Sequence, residues 1–242
     1  MKLTNRLQAI ADLIQKDVMV GDIGSDHGYL ITYLVEKGII KKGIASDINE
    51  GPVKNCISTI KSYSFEDDVQ VRLGGGLTPY HENEIHTAVI AGMGGELIRD
   101  IIIESKAVAA TVKTFILQPM TGQDVLRQWL IENNYRIDKE VIANEQERFY
   151  EILVVTHGQQ EETLEPYMSH MKIDEALTYE IGLKMVCDEN YEGFIEKKIR
   201  KYETIKEQIE KHGKGKNEKL IQTETFLTKL YEVRTCIQTS EK

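Results

Sequence analysis

VMVGDIGSDHGYL, at residues 18–30, joins a short apolar run to a glycine-rich turn that leads into a helical pattern. The apolar run predicts a buried strand, and an acid followed by glycine at its end is typical of a ligand-binding turn in open α/β sheets. The glycines at 21, 24 and 28 do not follow the G-x-G-x-x-G spacing of a dinucleotide fingerprint. We therefore expect this turn to bind a ligand other than NAD.

Strand-like and helix-like segments alternate along the first two thirds of the chain. Short segments rich in Val and Ile lie at residues 18–23, 43–48, 69–73, 86–92 and 114–119. Segments of helical length and period lie between or after them, at residues 29–38, 52–63, 95–110 and 123–134. This alternation predicts an α/β fold with a parallel sheet covered by helices on both faces. Two further strand-like segments, 135–145 and 148–158, have no helix between them and predict a hairpin that closes the sheet.

The pattern changes after about residue 160. Apolar residues recur at helical intervals on both sides of the glycine-bearing loop at 211–217: Ile195, Ile199, Tyr202, Ile205 and Ile209 before it, and Leu220, Leu227, Leu230 and Ile237 after it. This spacing predicts an antiparallel helical hairpin of coiled-coil character. We therefore expect two domains, residues 1–160 and residues 161–242.

Charge and cysteine content exclude several classes of protein. No run of residues approaches the roughly 18 consecutive apolar residues of a membrane span, and the three cysteines lack metal-ligand spacing, so we expect no membrane and no metal site. The net charge of −9 argues against a nucleic-acid partner, but residues 194–219 contain nine Lys or Arg against five Glu. That segment is either a solvated helix face with internal charge pairs or a surface that binds RNA or a partner protein.

Two acids end neighbouring predicted strands, at the edge of the sheet where open α/β folds bind ligands. Asp22 ends the first strand, and Asp47 ends the second at the interval typical of an acid that binds ribose hydroxyls. S-adenosylmethionine combines a ribose with an ammonium group and a sulfonium, and therefore suits an acidic loop. The alternative is that Asp22 only caps a helix. Glycine clusters at 74–76 and 92–95 follow the next two strands and would let the backbone approach an adenine.

Several segments together resemble a known family: LTNRLQAIADLI, GDIGSDHGYL, SDIN, AGMGGELI, LQPM and ERFYEILVV. In order and spacing they are similar to the bacterial tRNA adenine N1-methyltransferases that modify position 22. The resemblance runs over essentially the whole chain. It implies a Rossmann-like class I methyltransferase sheet followed by a C-terminal helical coiled-coil hairpin domain, with S-adenosylmethionine as cofactor and tRNA as partner. We further expect a cytoplasmic monomer.

By position, the resemblance also implies the cofactor-binding residues, which are Arg6, Asp22, Gly24, Ser25, Asp47, Ile48, Asn49, Gly76, Leu77, Ala91, Gly92 and Met93. This chain departs from the family after the third strand, where an acid is common and Gly75 stands here. A carboxylate at that position would bind the exocyclic amine of the cofactor. Adenine recognition in this chain is therefore expected to use backbone groups or another side chain.

Asp26, His27 and Tyr29 are the candidate catalytic residues. Adenine N1 carries an in-plane lone pair and needs no deprotonation, so positioning should dominate catalysis, and the Asp26 carboxylate would stabilise the positive charge that develops on the base. His27 and Tyr29 would orient the base. The alternative is that Asp26 and His27 only satisfy amides of the turn. The candidate RNA-binding residues are Lys197, Lys198, Arg200, Lys201, Lys211, Lys214 and Lys216.

Two other functions remain open at this stage. The chain could methylate a small metabolite, in which case bulk tRNA would not accept labelled methyl groups. It could also be a non-catalytic module that binds the cofactor or RNA, and tight cofactor binding without turnover on any tRNA would favour that function.

Overall fold

A computed structural model of the protein describes residues 1–160, 175–182, 184, 188–212 and 218–240. The chain divides into two compact units, Met1–Glu161 and Glu162–Lys242. Within the described ranges, no helix combines the length and the apolar character that crossing a membrane requires.

The first unit is built on a seven-stranded sheet. Its strands are β1 (Val20–Ile23), β2 (Gly43–Asp47), β3 (Val69–Leu73), β4 (Thr87–Gly94), β5 (Thr114–Thr121), β6 (Tyr135–Glu145) and β7 (Arg148–His157). They lie in the order β3-β2-β1-β4-β5-β7-β6. The pairs from β3 to β5 are parallel, whereas β7 is antiparallel to both β5 and β6. The predicted parallel sheet with a closing hairpin is confirmed.

Helices cover this sheet. They are α1 (Asn5–Ala11), α2 (Tyr29–Glu36), α3 (Glu50–Ser62), α4 (Gly95–Glu104), α5 (Lys106–Ala109) and α6 (Gln123–Glu132). The single helix predicted at 95–110 is wrong, because Ser105 leaves helical geometry at φ −115° and ψ 44° and separates α4 from α5. Both faces of the sheet are buried: Ile116 joins the core formed with α1, α2 and α3, while its neighbours Phe115 and Leu117 are buried on the opposite face.

A buried ion cluster joins α6 to the hairpin. The Arg127 guanidinium donates to Glu140 on β6 and to Glu151 on β7, each at 2.7 Å, and the Arg127 side chain is fully buried. Burial alone would lower the pKa of Arg127, but the two carboxylates outweigh it and hold the pKa above its ordinary value. Arg127 therefore keeps its positive charge, and its bonds to Glu140 and Glu151 fix α6 against β6 and β7.

The second unit is helical, with α7 (Glu175–Ile181), α8 (Tyr191–His212) and α9 (Glu218–Ser240) among its described residues. The start of α8 contacts the end of α9, since Gln238 donates to Glu192 at 2.9 Å. Further along α8, the Tyr202 ring lies 4.9 Å from the Phe226 ring. The two helices are therefore antiparallel, as the apolar spacing predicts. Ile195, Ile199, Leu227 and Leu230 are among the buried residues of this unit.

We expect Arg127→Met to lower the free energy of unfolding by about 3–5 kcal/mol, because it leaves two buried carboxylates without their cation. Urea unfolding at neutral pH measures the change. Lys54→Ala is the control, since Lys54 forms an exposed i,i+4 ion pair with Glu50 and should contribute little. Equal stability of wild type and Arg127→Met would contradict the structural role of the cluster.

Candidate functional site

The site lies where β1, β2 and β4 end side by side. Ile23, the last residue of β1, is in register with Ser46 on β2 and with Ile90 on β4. The chain then turns out of the sheet, and the backbone N–H groups of Gly24 and Ser25 both donate to the Ser46 carbonyl oxygen, at 2.8 and 2.9 Å. The glycine-rich turn of residues 24–28 is therefore attached to the end of the neighbouring strand.

A cavity of about 190 Å³ opens at this point. It collects eight of the residues predicted for the site, from α1, from β1 and its turn, from α2 and from β4: Arg6, Asp22, Gly24, Ser25, Asp26, His27, Tyr29 and Ala91. Arg6 stands well before the others in sequence, and the structure brings it to them because α1 packs into the same core as α2 and the sheet.

Asp22 is the buried acid of the cavity. The Ser25 hydroxyl donates to its Oδ2 at 2.6 Å. Burial raises the pKa of Asp22 from 3.8 to about 6, although the hydrogen bond from Ser25 and the charge of Arg6 act in the opposite direction. A carboxylate that is desolvated in this way is ready to accept an ammonium group of a ligand, which would replace the lost water.

Two glycines give the turn its shape. Gly24 has φ +76°, and the Met93 side chain occupies the space in which a Cβ at position 24 would lie. Gly28 has φ +66° and packs against Cys56 of α3. The Cys56 thiol donates to the Ser25 carbonyl oxygen at 2.6 Å, and burial raises the pKa of Cys56 to about 11, so the thiol keeps its proton. The turn is thus held from α3 as well as from β2.

Asp26, His27 and Tyr29 form the exposed rim of the cavity. The Asp26 carboxylate lies 3.2 Å from His27 Nε2, with 65% of its side chain exposed. The His27 and Tyr29 rings are stacked, with centroids 5.1 Å apart and planes 12° from parallel. The rim therefore offers an acid beside a flat aromatic surface.

The predicted contacts from β2 lie next to the cavity rather than in its lining. Asp47 Oδ1 accepts from the Asn49 backbone N–H at 2.8 Å, which fixes the carboxylate at the strand end. Ile48 is 69% exposed, a large value for an isoleucine. A Cβ at Gly75 would meet the Ile48 side chain at 3.1 Å, so Ile48 packs over the position where the family's acid would stand.

The remaining predicted contacts, in the loop after β3 and at the end of β4, differ in how far they are buried. Gly74 N–H donates to the Asp47 carbonyl oxygen at 2.9 Å, which places the loop after β3 beside Asp47. Gly76 packs against α4 through Ile101. Leu77 is fully buried, so its contact with a cofactor, which stays a prediction, would have to come from its backbone. Gly92 is exposed at the end of β4, with Arg6 3.7 Å from the position of its missing Cβ.

Sequence reasoning missed two partners of Arg6. Gln118 on β5 accepts from Arg6 Nη1 at 2.8 Å, and the Arg6 guanidinium lies 5.7 Å from the centre of the Tyr150 ring on β7. Both residues belong to segments that carry the family resemblance, LQPM and ERFYEILVV. Within the described ranges, no group of three or more His, Cys, Asp or Glu residues could hold a metal ion.

The cationic residues predicted to bind RNA divide into three groups. Lys197 and Arg200 are exposed on α8. Lys198 and Lys201 both bind Glu180 of α7, at 2.9 and 3.0 Å, and the Lys198 side chain is only 11% exposed. The Lys198 ammonium is therefore engaged within the unit, and its assignment as an RNA contact stays a prediction.

Lys211, the next of these cations, lies 3.4 Å from Glu207, with both side chains well exposed. Lys214 and Lys216 lie outside the described residues.

Comparisons with known proteins agree with this geometry. The profile of a methyltransferase-domain family matches residues 3–153. The tRNA (adenine(22)-N(1))-methyltransferase of Bacillus subtilis (strain 168) is 35% identical over 158 residues, which cover 65% of this chain and 66% of that protein. The matched part thus spans just under two thirds of this relative.

Two solved structures are similar over nearly the full length. The crystal structure of Streptococcus pneumoniae Sp1610 in complex with S-adenosyl-L-methionine is 30% identical, with a TM-score of 0.81, and 96% of this chain matches 100% of that one. The crystal structure of the B. subtilis m1A22 tRNA methyltransferase TrmK is 27% identical, with a TM-score of 0.77 and 98% of each chain covered.

We expect Asp22→Asn to stabilise the ligand-free protein by up to about 3 kcal/mol at pH 7, because the raised pKa of Asp22 makes its ionisation costly in the folded chain. The folded chain keeps the Asp22 proton to about pH 6 and the unfolded chain only to about pH 3.8. The stability contributed by this group is therefore greatest below that window and falls as pH rises through it.

Urea unfolding of wild type and Asp22→Asn between pH 4 and 7.5 measures this difference. Asp67→Asn, at an exposed position, is the matched control. A difference between wild type and Asp22→Asn that stays constant across the pH range would show that burial of Asp22 does not shift its titration.

Proposed function

Because this chain belongs to the methyltransferase-domain family and, within it, to the tRNA (adenine(22)-N(1))-methyltransferases, we propose that it methylates N1 of adenine 22 in bacterial tRNA with S-adenosylmethionine as donor. The observation that carries the proposal is the cavity in which Asp22 and Arg6 meet at the end of β1. That cavity places opposite charges where a parallel α/β sheet binds its ligand.

The residues present fit S-adenosylmethionine. Asp22 is a buried acid suited to the ammonium group of the cofactor, and Arg6 is a cation in the same cavity suited to its carboxylate. The cavity, at about 190 Å³, is smaller than the roughly 300–1,000 Å³ of typical ligand pockets. It would therefore enclose the amino-acid end, while the nucleoside end would lie along the strand ends outside it.

We assign the nucleoside end to β2 and the loop after β3. Asp47 would bind the ribose hydroxyls, since its carboxylate is fixed at the end of β2 by the Asn49 N–H. Ile48 would pack on the adenine, which explains why so large an apolar side chain is 69% exposed. Gly76 and Asn49 would contribute backbone or amide contacts, as the family resemblance implies.

The main task of the protein in this reaction is to position the methyl donor and the adenine base. When bound, S-adenosylmethionine supplies a methyl group activated by its sulfonium, and adenine N1 accepts it through a lone pair that is already free. Because N1 lies on the Watson–Crick edge, the base must be unpaired or extruded before it reaches the site. The stacked His27 and Tyr29 rings would bind the extruded base by its face.

Asp26 would stabilise the charge that the base acquires. Its carboxylate stands on the exposed rim, and His27 is its polar partner within the described part of the chain. This arrangement supports a role in substrate binding over the alternative that Asp26 only satisfies turn amides. A carboxylate near the developing cation stabilises the transition state more than the ground state.

The helical hairpin would bind the body of the tRNA. Lys197 and Arg200, which are exposed on α8, carry this part of the proposal. Each contact with a phosphate releases counterions, so binding should weaken as salt concentration rises. Because all the assigned cofactor and base contacts come from a single chain, we also propose that the protein acts as a monomer, in the cytoplasm where its tRNA substrate is located.

Digestion of tRNA after incubation with the protein and cofactor, followed by mass identification of the nucleoside, tests the function. We expect 1-methyladenosine at position 22, and no product on a transcript with guanine there. Asp26→Asn should lower kcat about 10²- to 10³-fold and leave affinity for S-adenosylhomocysteine within about twofold.

Other outcomes separate the alternatives. Equal loss of turnover and cofactor affinity in Asp26→Asn would move Asp26 into the cofactor site. Turnover of a small metabolite without labelling of tRNA would replace the proposed function by a metabolite methyltransferase, and tight cofactor binding without any turnover would favour a binding module.

We expect Lys197→Glu combined with Arg200→Glu to weaken tRNA binding and to lower the slope of log affinity against log salt by about 2, one for each lost phosphate contact. Filter binding across a salt series measures both quantities. Lys113→Glu is the matched control, because Lys113 is exposed just before β5, at the opposite edge of the sheet from the site. An unchanged slope would refute RNA binding by this face of α8.

A further inference from the structure

We propose that Gln118 and Tyr150 are positioning residues, which hold the Arg6 guanidinium where it binds the carboxylate at the amino-acid end of the cofactor. The proposal rests on the proposed function and extends it to two residues outside the cavity. It concerns the part of the cofactor that carries no reacting atom, and it predicts selectivity for ligands that have a carboxylate.

Gln118 is built to present one oxygen to Arg6. It is fully buried on β5, and its amide nitrogen donates to the Pro119 carbonyl oxygen at 3.0 Å and to Met120 Sδ at 3.5 Å. These contacts engage the donor side of the amide, so the Oε1 acceptor faces Arg6 Nη1, 2.8 Å away. A buried amide fixed on both sides is a rigid support for a long side chain.

The choice of a neutral acceptor is informative. A carboxylate at position 118 would hold Arg6 in place but would also neutralise it. Glutamine directs the guanidinium through a hydrogen bond and leaves its positive charge for a ligand. The guanidinium has five N–H donors in a planar fork that matches a carboxylate, and the bond to Gln118 uses a single one of them.

Tyr150 restricts the movement of the Arg6 guanidinium from another side. Its ring centre lies 5.7 Å from Arg6 Cζ, within the range of a cation–π contact. The helix that carries Arg6 is also anchored next to this strand, because the Asn5 side chain donates to the Asn144 carbonyl oxygen on β6 at 2.9 Å. Strands β5 and β7 therefore fix a residue of α1 although neither strand lines the cavity.

Arg6 and Asp22 together define which ligand end fits. Both line the same cavity, and the positive charge of Arg6 acts on the Asp22 carboxyl. An amino acid in zwitterionic form carries the complementary pair, an ammonium group for Asp22 and a carboxylate for Arg6. A ligand that lacks the carboxylate cannot make the contact with Arg6, which Gln118 and Tyr150 hold in position.

Calorimetry with two ligands tests the proposal. S-adenosylhomocysteine carries the amino-acid end, whereas 5′-methylthioadenosine has the same nucleoside and thioether without it. We expect Gln118→Leu and Tyr150→Leu to weaken the binding of S-adenosylhomocysteine about tenfold or more. The affinity for 5′-methylthioadenosine should change less than about twofold. Gln118→Glu should also weaken the binding of S-adenosylhomocysteine alone, because a glutamate would keep Arg6 in place but neutralise the charge of Arg6.

Two variants serve as controls. Gln123→Leu removes a side chain that also donates to the Pro119 carbonyl oxygen, at 3.4 Å, and it should leave both affinities unchanged. Tyr150→Phe keeps the ring and should bind S-adenosylhomocysteine like the wild type. Thermal unfolding of every variant verifies that the fold is retained.

The outcomes are distinct. If the variants bound both ligands equally more weakly, or bound both as the wild type does, the proposal would be overturned and the proposed function would remain intact. Reduced tRNA affinity with unchanged S-adenosylhomocysteine binding would also overturn it, since Arg6 would then face an RNA phosphate. If the wild type bound neither ligand, the proposed function itself would fail.

Discussion

The carbonyl oxygen of Ser46 accepts two backbone N–H groups, from Gly24 and Ser25, and the site depends on this shared acceptor. A carbonyl oxygen has two lone pairs, so both bonds can form at once. They attach the turn after β1 to the end of β2, and the Cys56 thiol holds the same turn from α3. Asp22 and Asp26 thereby keep fixed positions at the base and the rim of the cavity. A site held in this way loses little further freedom when a ligand binds.

Local pattern was sufficient to predict the sheet. The strands β3 and β6 begin and end at the predicted residues, and VQVRL in β3 has the alternation of apolar and polar residues that is typical of a strand. The break at Ser105 was not predictable in the same way, since residues 95–110 keep a helical composition across it. Sequence periodicity reports which residues are buried, and it does not report where a backbone changes direction.

The site was predicted in part, and the missing part has a physical reason. The acids at the ends of β1 and β2 follow from the rule that ligands bind at the carboxyl ends of strands. The contact between Arg6 and Gln118 spans 112 positions of the chain and depends on how α1 packs against the sheet. Similarly, the positive excess at 194–219 does not count Glu180, which binds Lys198 and Lys201 from α7. Charge counted along a sequence therefore overstates the charge that a surface offers.

The position of β7 in the sheet affects how the sheet assembles during synthesis of the chain. β7 is the last strand among the described residues, yet it lies between β5 and β6, and β6 pairs with β7 within the described sheet. As the ribosome releases the chain from its N-terminus, β5 therefore emerges with an open edge, and β6 emerges before its pairing strand exists. Open strand edges are templates for association with other chains. The edge of β5 accordingly stays open to other chains until β7 is complete.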